Sequence, residues 1–547
     1  MGRSEDISDA EECGPSPRRT TLAKIEPCDA VTAPLRDAAR AVSVSAEPGM
    51  ILPCAPSDEE KILYHRTGRF VMIAYGFLAL SSIFVGMWMF TMASSFFYWL
   101  CAPTVLVLLY FIFHYFLVSL WGKDFDPDEH AEVVKKATEQ KYLPTIDVFL
   151  PVCNEPLAVL ANAWKNIAAM DYPRASVYVL DDGANDDVRH LAKEHGFQYI
   201  LRTNRPEMKK AGNLRYAFAR TSGDLVVIFD ADFCPRTDFL RETVPYLTNP
   251  SVGLLQTPQF FRRRDEQTWI EQGAGVTLEF FYRMVQTNRD HFHAAVCSGS
   301  CGVYRRAAIE PLGGVVAIEH SEDMYTGYKM TELGYQIKYL PLCLAMGVCP
   351  DEPDSYFMQQ YRWCMGTVTL VFEMDFWTAN TSRIHKMCFV SGMLYYVATA
   401  LFIFLGPMPI LLLIWIKADE VMWYHSGFTV PSIIFSCVVV PWWSKAKFGM
   451  ASYRVQVLQS YAHLFAIKDY FMGSVATWVP SGGGASRESS KVYNSSVWCL
   501  VVWNTISTVL IVGGSIWKMV EHPWYNFVPC IVLVLCSFCL SMSTLVY

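Results

Sequence analysis

Four short motifs in one polar stretch carry side chains able to do chemistry: Asp181-Asp182-Gly183, Asp230-Ala231-Asp232, Ser321-Glu322-Asp323 and Gln359-Gln360-Tyr361-Arg362-Trp363. The first three place carboxylates at the ends of short strand candidates. The last adds a cation and a large aromatic. Hard divalent cations such as Mg2+ or Mn2+ take oxygen ligands and share them with phosphates, so Asp230 and Asp232, one residue apart after an apolar run, are candidate metal ligands. A metal there would neutralise a leaving diphosphate. Asp323 is a candidate general base, able to take the proton of a sugar hydroxyl as its oxygen attacks an anomeric carbon. Helix N-capping is the competing explanation for an acidic residue at that place. Arg362 can pair with a phosphate oxygen, and Trp363 can stack on the apolar face of a sugar ring. Taken alone, Trp363 would be a core residue and Asp181-Asp182-Gly183 a turn. Within a nucleotide site, one of the two carboxylates can accept from a base or ribose. Lys209 and Lys210 can contact a phosphate or remain solvated charges.

These groups need a scaffold, and the residues between 124 and about 385 supply one. Apolar strand candidates recur at Thr145–Leu150, Val177–Leu180, Gln198–Leu201, Leu225–Phe229 and Val252–Gln256, with helical stretches between several of them. That alternation predicts βαβ units and a mostly parallel sheet. Ligands bind such sheets beyond the carboxyl ends of the strands, where Asp181 and Asp230 fall.

The flanking sequence is apolar. The chain has 547 residues, 52% of them hydrophobic, and a net charge of −7. No continuous basic stripe is present, which argues against nucleic acid as a partner. A bilayer core takes about 20 apolar residues as a helix. Runs at Phe70–Ala93, Phe96–Trp121, Met387–Ile416, Thr429–Trp443, Val497–Trp517 and Trp524–Leu545 predict about six membrane helices. Basic residues between 444 and 496 put that loop, the polar domain and both termini on the cytoplasmic side. Of the 17 cysteines, many lie in apolar runs. Cys536 and Cys539 have metal-like spacing without the further ligands a zinc site closes with, so free thiols are expected.

The expected organisation is a disordered tail over 1–60, two membrane helices over 61–123 and a cytoplasmic catalytic domain over 124–365. An interfacial helix over 366–386, two membrane helices over 387–443, an interfacial helix and loop over 444–496 and two membrane helices over 497–547 complete it. His114, inside the second run, is expected to pack or face a pore. Within 444–496, Trp478-Val479-Pro480-Ser481-Gly482 leads into a glycine-rich run suited either to a mobile loop or to an ordinary linker.

Together the motifs resemble processive family-2 glycosyltransferases: cellulose synthases, hyaluronan synthases, chitin synthases and relatives. Their D, D, D, Q-x-x-R-W pattern lies in a GT-A domain between membrane helices that form a polymer channel. The resemblance covers about residues 60 to 547. Pro151-Val152-Cys153-Asn154-Glu155 matches the family's nucleotide-binding strand end, with Val152-Cys153 replacing more usual residues. Ser321 stands where cellulose synthases usually have Thr, and Ser298-Gly299-Ser300 where bacterial ones often have Cys-Gly-Ser at the acceptor site. The Trp478–Gly482 run resembles the gating-loop motif of cellulose-synthase-like proteins of fungi and some bacteria, and the chain most resembles a cellulose-synthase-like β-glucan synthase of fungal or bacterial type.

The resemblance implies an α/β GT-A domain with a mostly parallel sheet, an α-helical transmembrane channel of about six helices, and interfacial helices. It implies an inverting enzyme that extends a β-glucan, β-1,4, β-1,3 or mixed-linkage, from UDP-glucose with Mg2+ or Mn2+, and moves it across the plasma membrane. It assigns Asp323, Glu322, Arg362, Trp363 and Gln359 to catalysis. The UDP-sugar donor falls to Asp181, Asp182, Asn154, Glu155, Lys210 and Asp230, the metal to Asp230 and Asp232, and gating to Trp478, Ser481 and Gly482. A growing polysaccharide and membrane lipid are the expected partners, and a homo-oligomer stays open. The alternatives are a hyaluronan- or chitin-type synthase using UDP-GlcNAc, a nonprocessive lipid-linked glycosyltransferase, and a transporter or inactive scaffold.

Overall fold

The computed structural model describes residues 51–112, 122–474 and 487–546. The catalytic-domain candidate is built on a seven-stranded sheet in the order β3-β2-β1-β4-β7-β6-β8. Its strands are β1 (Ile146–Val152), β2 (Ala175–Asp181), β3 (Gln198–Ile200), β4 (Leu225–Ile228), β6 (Val252–Gln256), β7 (Gly302–Arg305) and β8 (Gln336–Tyr339). β5 (Cys234–Pro235) and β9 (Ala345–Met346) form a separate antiparallel ribbon. Strand β1 runs parallel to β2 on one side and β4 on the other. Only β7 runs against its neighbours. The mostly parallel sheet is therefore as expected, with one reversed strand near one edge.

Strand β1 shows why both faces are covered. Val148 and Leu150 enter one core with Val179, Val227, Leu160 and Trp164. Phe149 enters the opposite core with Leu180, Val226, Leu214 and Phe218. The two-residue alternation sends neighbours to opposite faces, and a strand buried on both faces reads as a nearly continuous apolar run. Asp147 interrupts that run, and its carboxylate is buried against Arg306 at 2.6 Å and the Gly223 amide at 2.6 Å. Such a charge is tolerated only when paired.

The apolar helices are α1 (Arg69–Met92), α2 (Ser95–Phe111), and, further on, segments at Arg383–Ile416, Trp423–Trp443, Ser490–Lys518 and Trp524–Ser543. Five of them, all but α2, have the length and composition to cross a membrane. The second expected span, Phe96–Trp121, is described only to residue 112, and His114 lies outside the described residues. Phe70, Trp88, Trp442 and Trp498 stand well exposed on these helices, a surface that suits lipid and not water.

Two expected boundaries fall elsewhere. The stretch 51–60, expected as the end of a disordered tail, is tied to the domain. Pro53 O accepts from Asn162 at 2.7 Å, Pro56 O accepts from Arg236 at 2.7 Å, and Glu60 pairs with Arg262. Residues 1–50 lie outside the described residues. The Q-x-x-R-W motif does not precede a separate interfacial helix at 366. It sits inside one continuous helix, Pro353–Phe372, which starts with proline in its first turn and is broken only at the extended Glu373, since proline is well suited to a first helical turn. The helix Met450–Met472, expected at the interface, buries Val455, Leu458, Tyr461 and Ala466 against Ile270, Ala274, Tyr356 and Tyr361. It joins the sheet domain to the apolar helices.

A buried ion pair makes a second joint. Arg283 Nη1 donates to Glu279 Oε1 at 2.8 Å and to the Trp443 carbonyl at 2.9 Å. Glu279 also accepts the amides of Lys445 and Ala446. Both charged side chains are almost fully buried, so each depends on the other.

Candidate active site

The carboxyl ends of β1, β2 and β4 lie side by side because the strands run parallel and in register, with Val152 opposite Asp181. Chain order reverses at β1, whose neighbours are β2 and β4, and such a switch point opens a crevice. A cavity of 1090 Å³ occupies it. Asn154, Glu155, Asp182, Lys210, Asp230, Asp232, Glu322, Asp323, Gln359, Arg362 and Trp363 all line it. These residues, scattered over 210 positions, are thus brought to one place.

Asp181 is the exception. Its carboxylate is fully buried, accepting the amides of Gly183, Ala184 and Asn185 and the hydroxyl of Tyr199. All its acceptor capacity goes into shaping the turn, so it positions Asp182 and does not face the cavity. Asp182 makes a two-point ion pair with Arg202, both contacts at 2.7 Å, a geometry that fixes direction as well as charge.

Asp230 and Asp232 follow β4. Lys210, in the first turn of helix α3 (Lys209–Phe218), donates to Asp230 at 2.5 Å and to the Gly299 carbonyl at 3.2 Å. Burial works against the charge on Lys210, but Asp230 and Glu322 outweigh it and hold its pKa above the usual value. Asp232 Oδ2 accepts the Val348 amide at 2.8 Å. Burial, with repulsion from Asp230 and Glu155 added, pushes its pKa up to about 7. Burial also raises Glu155.

Glu322 and Asp323 open helix α4 (Glu322–Glu332) behind Ser321, whose backbone is left-handed at φ 56 and whose side chain caps nothing. Asp323 is not an N-cap. Its Oδ1 accepts the adjacent Met324 amide at 2.8 Å, and its Oδ2 lies over Gly299. A Cβ on Gly299 would come within 2.6 Å of that oxygen. Burial raises the pKa of Asp323, with Lys210 opposing. Burial and the neighbouring Asp323 charge push Glu322 up to about 7.

The Q-x-x-R-W residues come from helix α5 (Pro353–Phe372). Gln359, Arg362 and Trp363 are three and four apart and so share one helical face, here the face on the cavity. The helix reaches α4 because residue 366 is glycine: a Cβ there would overlap Ser321 Oγ. Burial brings the pKa of Arg362 down to about 10, with Glu322 opposing the shift. Gln359 Oε1 is buried with no protein partner among the described residues.

Trp478, Ser481 and Gly482 lie outside the described residues. Several residues of the wall, and Arg202 behind it, were not singled out from the sequence. Ile51, Leu52 and Pro53 form one wall. Arg202, which orients Asp182, stands directly after the Gln198–Leu201 strand candidate, beside a strand that ends in carboxylates. That adjacency was the available signal. His320, next to the Ser-Glu-Asp motif, also faces the cavity. Among the described residues no group of three or more His, Cys, Asp or Glu is clustered as a complete metal-ligand set.

Comparison with known proteins shows what the segment carrying this site is similar to. Residues 144–366 match the family model described as "Glycosyltransferase like family 2". The cellulose synthase catalytic subunit (UDP-forming) of Xanthomonas axonopodis pv. citri (strain 306) is 31% identical over 265 residues, 47% of this chain and 36% of that protein. Its counterpart in Pseudomonas fluorescens (strain SBW25) is 34% identical over 267 residues, again 47% of this chain and 36% of the relative. The match thus spans little more than a third of those curated relatives. Among solved structures, a mannosyltransferase from Pyrobaculum calidifontis in complex with GDP-Man and Mn2+ aligns with 68% of this chain and 99% of its own, with a TM-score of 0.48 and 18% identity. The matched segment contains every strand of the large sheet and the cavity-facing turns of α5. Residues 144–366 are thus similar in sequence to family-2 glycosyltransferases.

Proposed function

We propose that this membrane-embedded chain is a processive, inverting glycosyltransferase that extends a β-glucan from UDP-glucose and passes it across the plasma membrane. One observation carries the reading: the carboxylates of the strand ends, Asp323 and the Arg362–Trp363 face of α5 share a single cavity. The cellulose synthase names of the curated relatives support glucose as the sugar.

Asp182, fixed by Arg202, takes the nucleoside. Asp230 and Asp232 alone do not complete a metal site, and they fit a divalent cation that takes its remaining oxygen ligands from the diphosphate, because Asp230 repels the buried Asp232 and an added positive charge relieves that repulsion. Asp230 and Asp232 would hold Mg2+ or Mn2+, which supplies charge neutralisation for the diphosphate when bound. Lys210 and Arg362 add positive charge beside it. Trp363 stacks on the terminal sugar and turns its hydroxyl toward Asp323. Asp323 takes the proton, and its burial-raised pKa makes it a stronger base than an exposed carboxylate. Direct displacement needs no covalent nucleophile, and inversion follows.

The test is purified protein incubated with a panel of UDP-sugars and Mn2+ or Mg2+, followed by linkage analysis of the product. UDP-glucose should give polymer. Polymer from UDP-GlcNAc instead would move the chain to the hyaluronan- or chitin-type reading, and no UDP release from any donor would remove the enzymatic reading.

A further inference from the structure

His320 lines the cavity and has no part in the scheme above. Its Nδ1 is buried and, among the described residues, has no hydrogen-bond partner. A buried polar atom left unpaired costs free energy, and native proteins keep few of them without a reason. The surroundings suggest one. The charged groups around the ring are Lys209, Glu319 and Arg362, and Lys209 is paired with Glu319 at 3.6 Å. Lys209, Lys210 and Arg362 line the same cavity. His320 thus shares the cavity with three cationic side chains as well as with the carboxylates of Glu319 and Glu322. Burial and Lys209 hold the imidazole's pKa below its usual value, so in the free site the ring is neutral, with one nitrogen that donates and one that accepts.

We propose that His320 is a phosphate-binding residue of the donor site, donating a hydrogen bond from its ring to the diphosphate of UDP beside Arg362. This rests on the nucleotide-sugar reading above. In the transfer step the acceptor oxygen bonds to the anomeric carbon and yields its proton to Asp323. The bond from that carbon to the β-phosphate oxygen breaks, and its electron pair stays on the phosphate. Negative charge grows on UDP, where an N–H donor holds it best, because hydrogen bonds to charged groups exceed neutral ones. An anion also satisfies the ring nitrogen that the protein leaves open.

The experiment measures binding of UDP and of uridine to the detergent-solubilised full chain, as wild type, His320→Leu and His320→Asn. Leucine fills the space without a donor, and asparagine keeps one. Loss of one hydrogen bond to a charged partner should weaken UDP about tenfold in His320→Leu. His320→Asn should stay within about threefold of wild type, and uridine affinity should not change in either. If His320→Leu does not fold, His320→Ala is read by the same criterion. Wild-type UDP affinity in the leucine or alanine variant, or an equal loss for uridine and UDP, overturns the proposal. A wild-type protein that binds no UDP at all instead overturns the nucleotide-sugar reading on which it stands.

Discussion

Replacing Gly299 with alanine should disable the base without removing it. Gly299 has φ 72, in the left-handed region where a side chain costs about 1–2 kcal/mol. That part of the effect falls on stability and is small enough to leave a folded protein. The larger effect is local. The new Cβ would lie 2.6 Å from Asp323 Oδ2, 3.0 Å from its Cβ and 3.1 Å from its Cγ. The backbone of Asp323 has little room to retreat, since Ser321, two residues before it, donates to the Arg362 carbonyl and packs on Gly366. The carboxylate must therefore swing by roughly 1 Å, and a misplacement of that size can cost about 10²-fold in rate. Lys210, which donates to the Gly299 carbonyl, keeps its partner because the peptide itself is retained. The assay is polymer synthesis from UDP-glucose alongside UDP binding and thermal unfolding. A fall of about 10²-fold in synthesis with UDP affinity within a few-fold of wild type is expected. Full activity in Gly299→Ala would refute the placement of Asp323 as the base held over this glycine.

Other substitutions probe the remaining parts. Asp232→Asn should weaken the metal dependence of UDP binding, which a Mn2+ titration reads out, with metal-independent binding changed little. Glu279→Ala should strand Arg283 in the joint between sheet domain and helices and cost about 3–5 kcal/mol, visible as a lowered unfolding midpoint in detergent. Trp363→Ala should lower chain extension more than UDP affinity, and product-length analysis separates the two.

The strand runs of β1, β2, β4 and β6 were legible because strands buried on both faces leave unbroken apolar sequence. Gly302–Arg305 and Gln336–Tyr339 were not, since four residues carrying Arg305 or Lys338 give no such run. Their pairing comes from tertiary neighbours instead. The site was legible as chemistry, with Asp230, Asp232, Asp323 and the α5 motif converging as expected. The division of labour inside Asp181-Asp182 was not. Two adjacent carboxylates look alike in sequence, and only the turn after β2, with Tyr199 closing on Asp181, decides that Asp182 faces the cavity. Gly299 was visible as part of Ser298-Gly299-Ser300, but its closeness to Asp323 depends on how α4 docks, which no local pattern encodes. Helix α5 ran through the expected domain boundary because its sequence changes from polar to apolar without a break in helical propensity. A change in composition marks a change in surroundings, not always the end of an element.

The central claim is that Asp323 deprotonates a sugar hydroxyl in a UDP-sugar site, and UDP release by wild type and Asp323→Asn tests it most directly. Purified wild-type protein given UDP-glucose and Mn2+ should release UDP in step with glucose entering polymer. Asp323→Asn should bind UDP as wild type does and release it about 10²–10⁴ times more slowly. Release by the variant at the wild-type rate, with polymer still forming, would contradict the account.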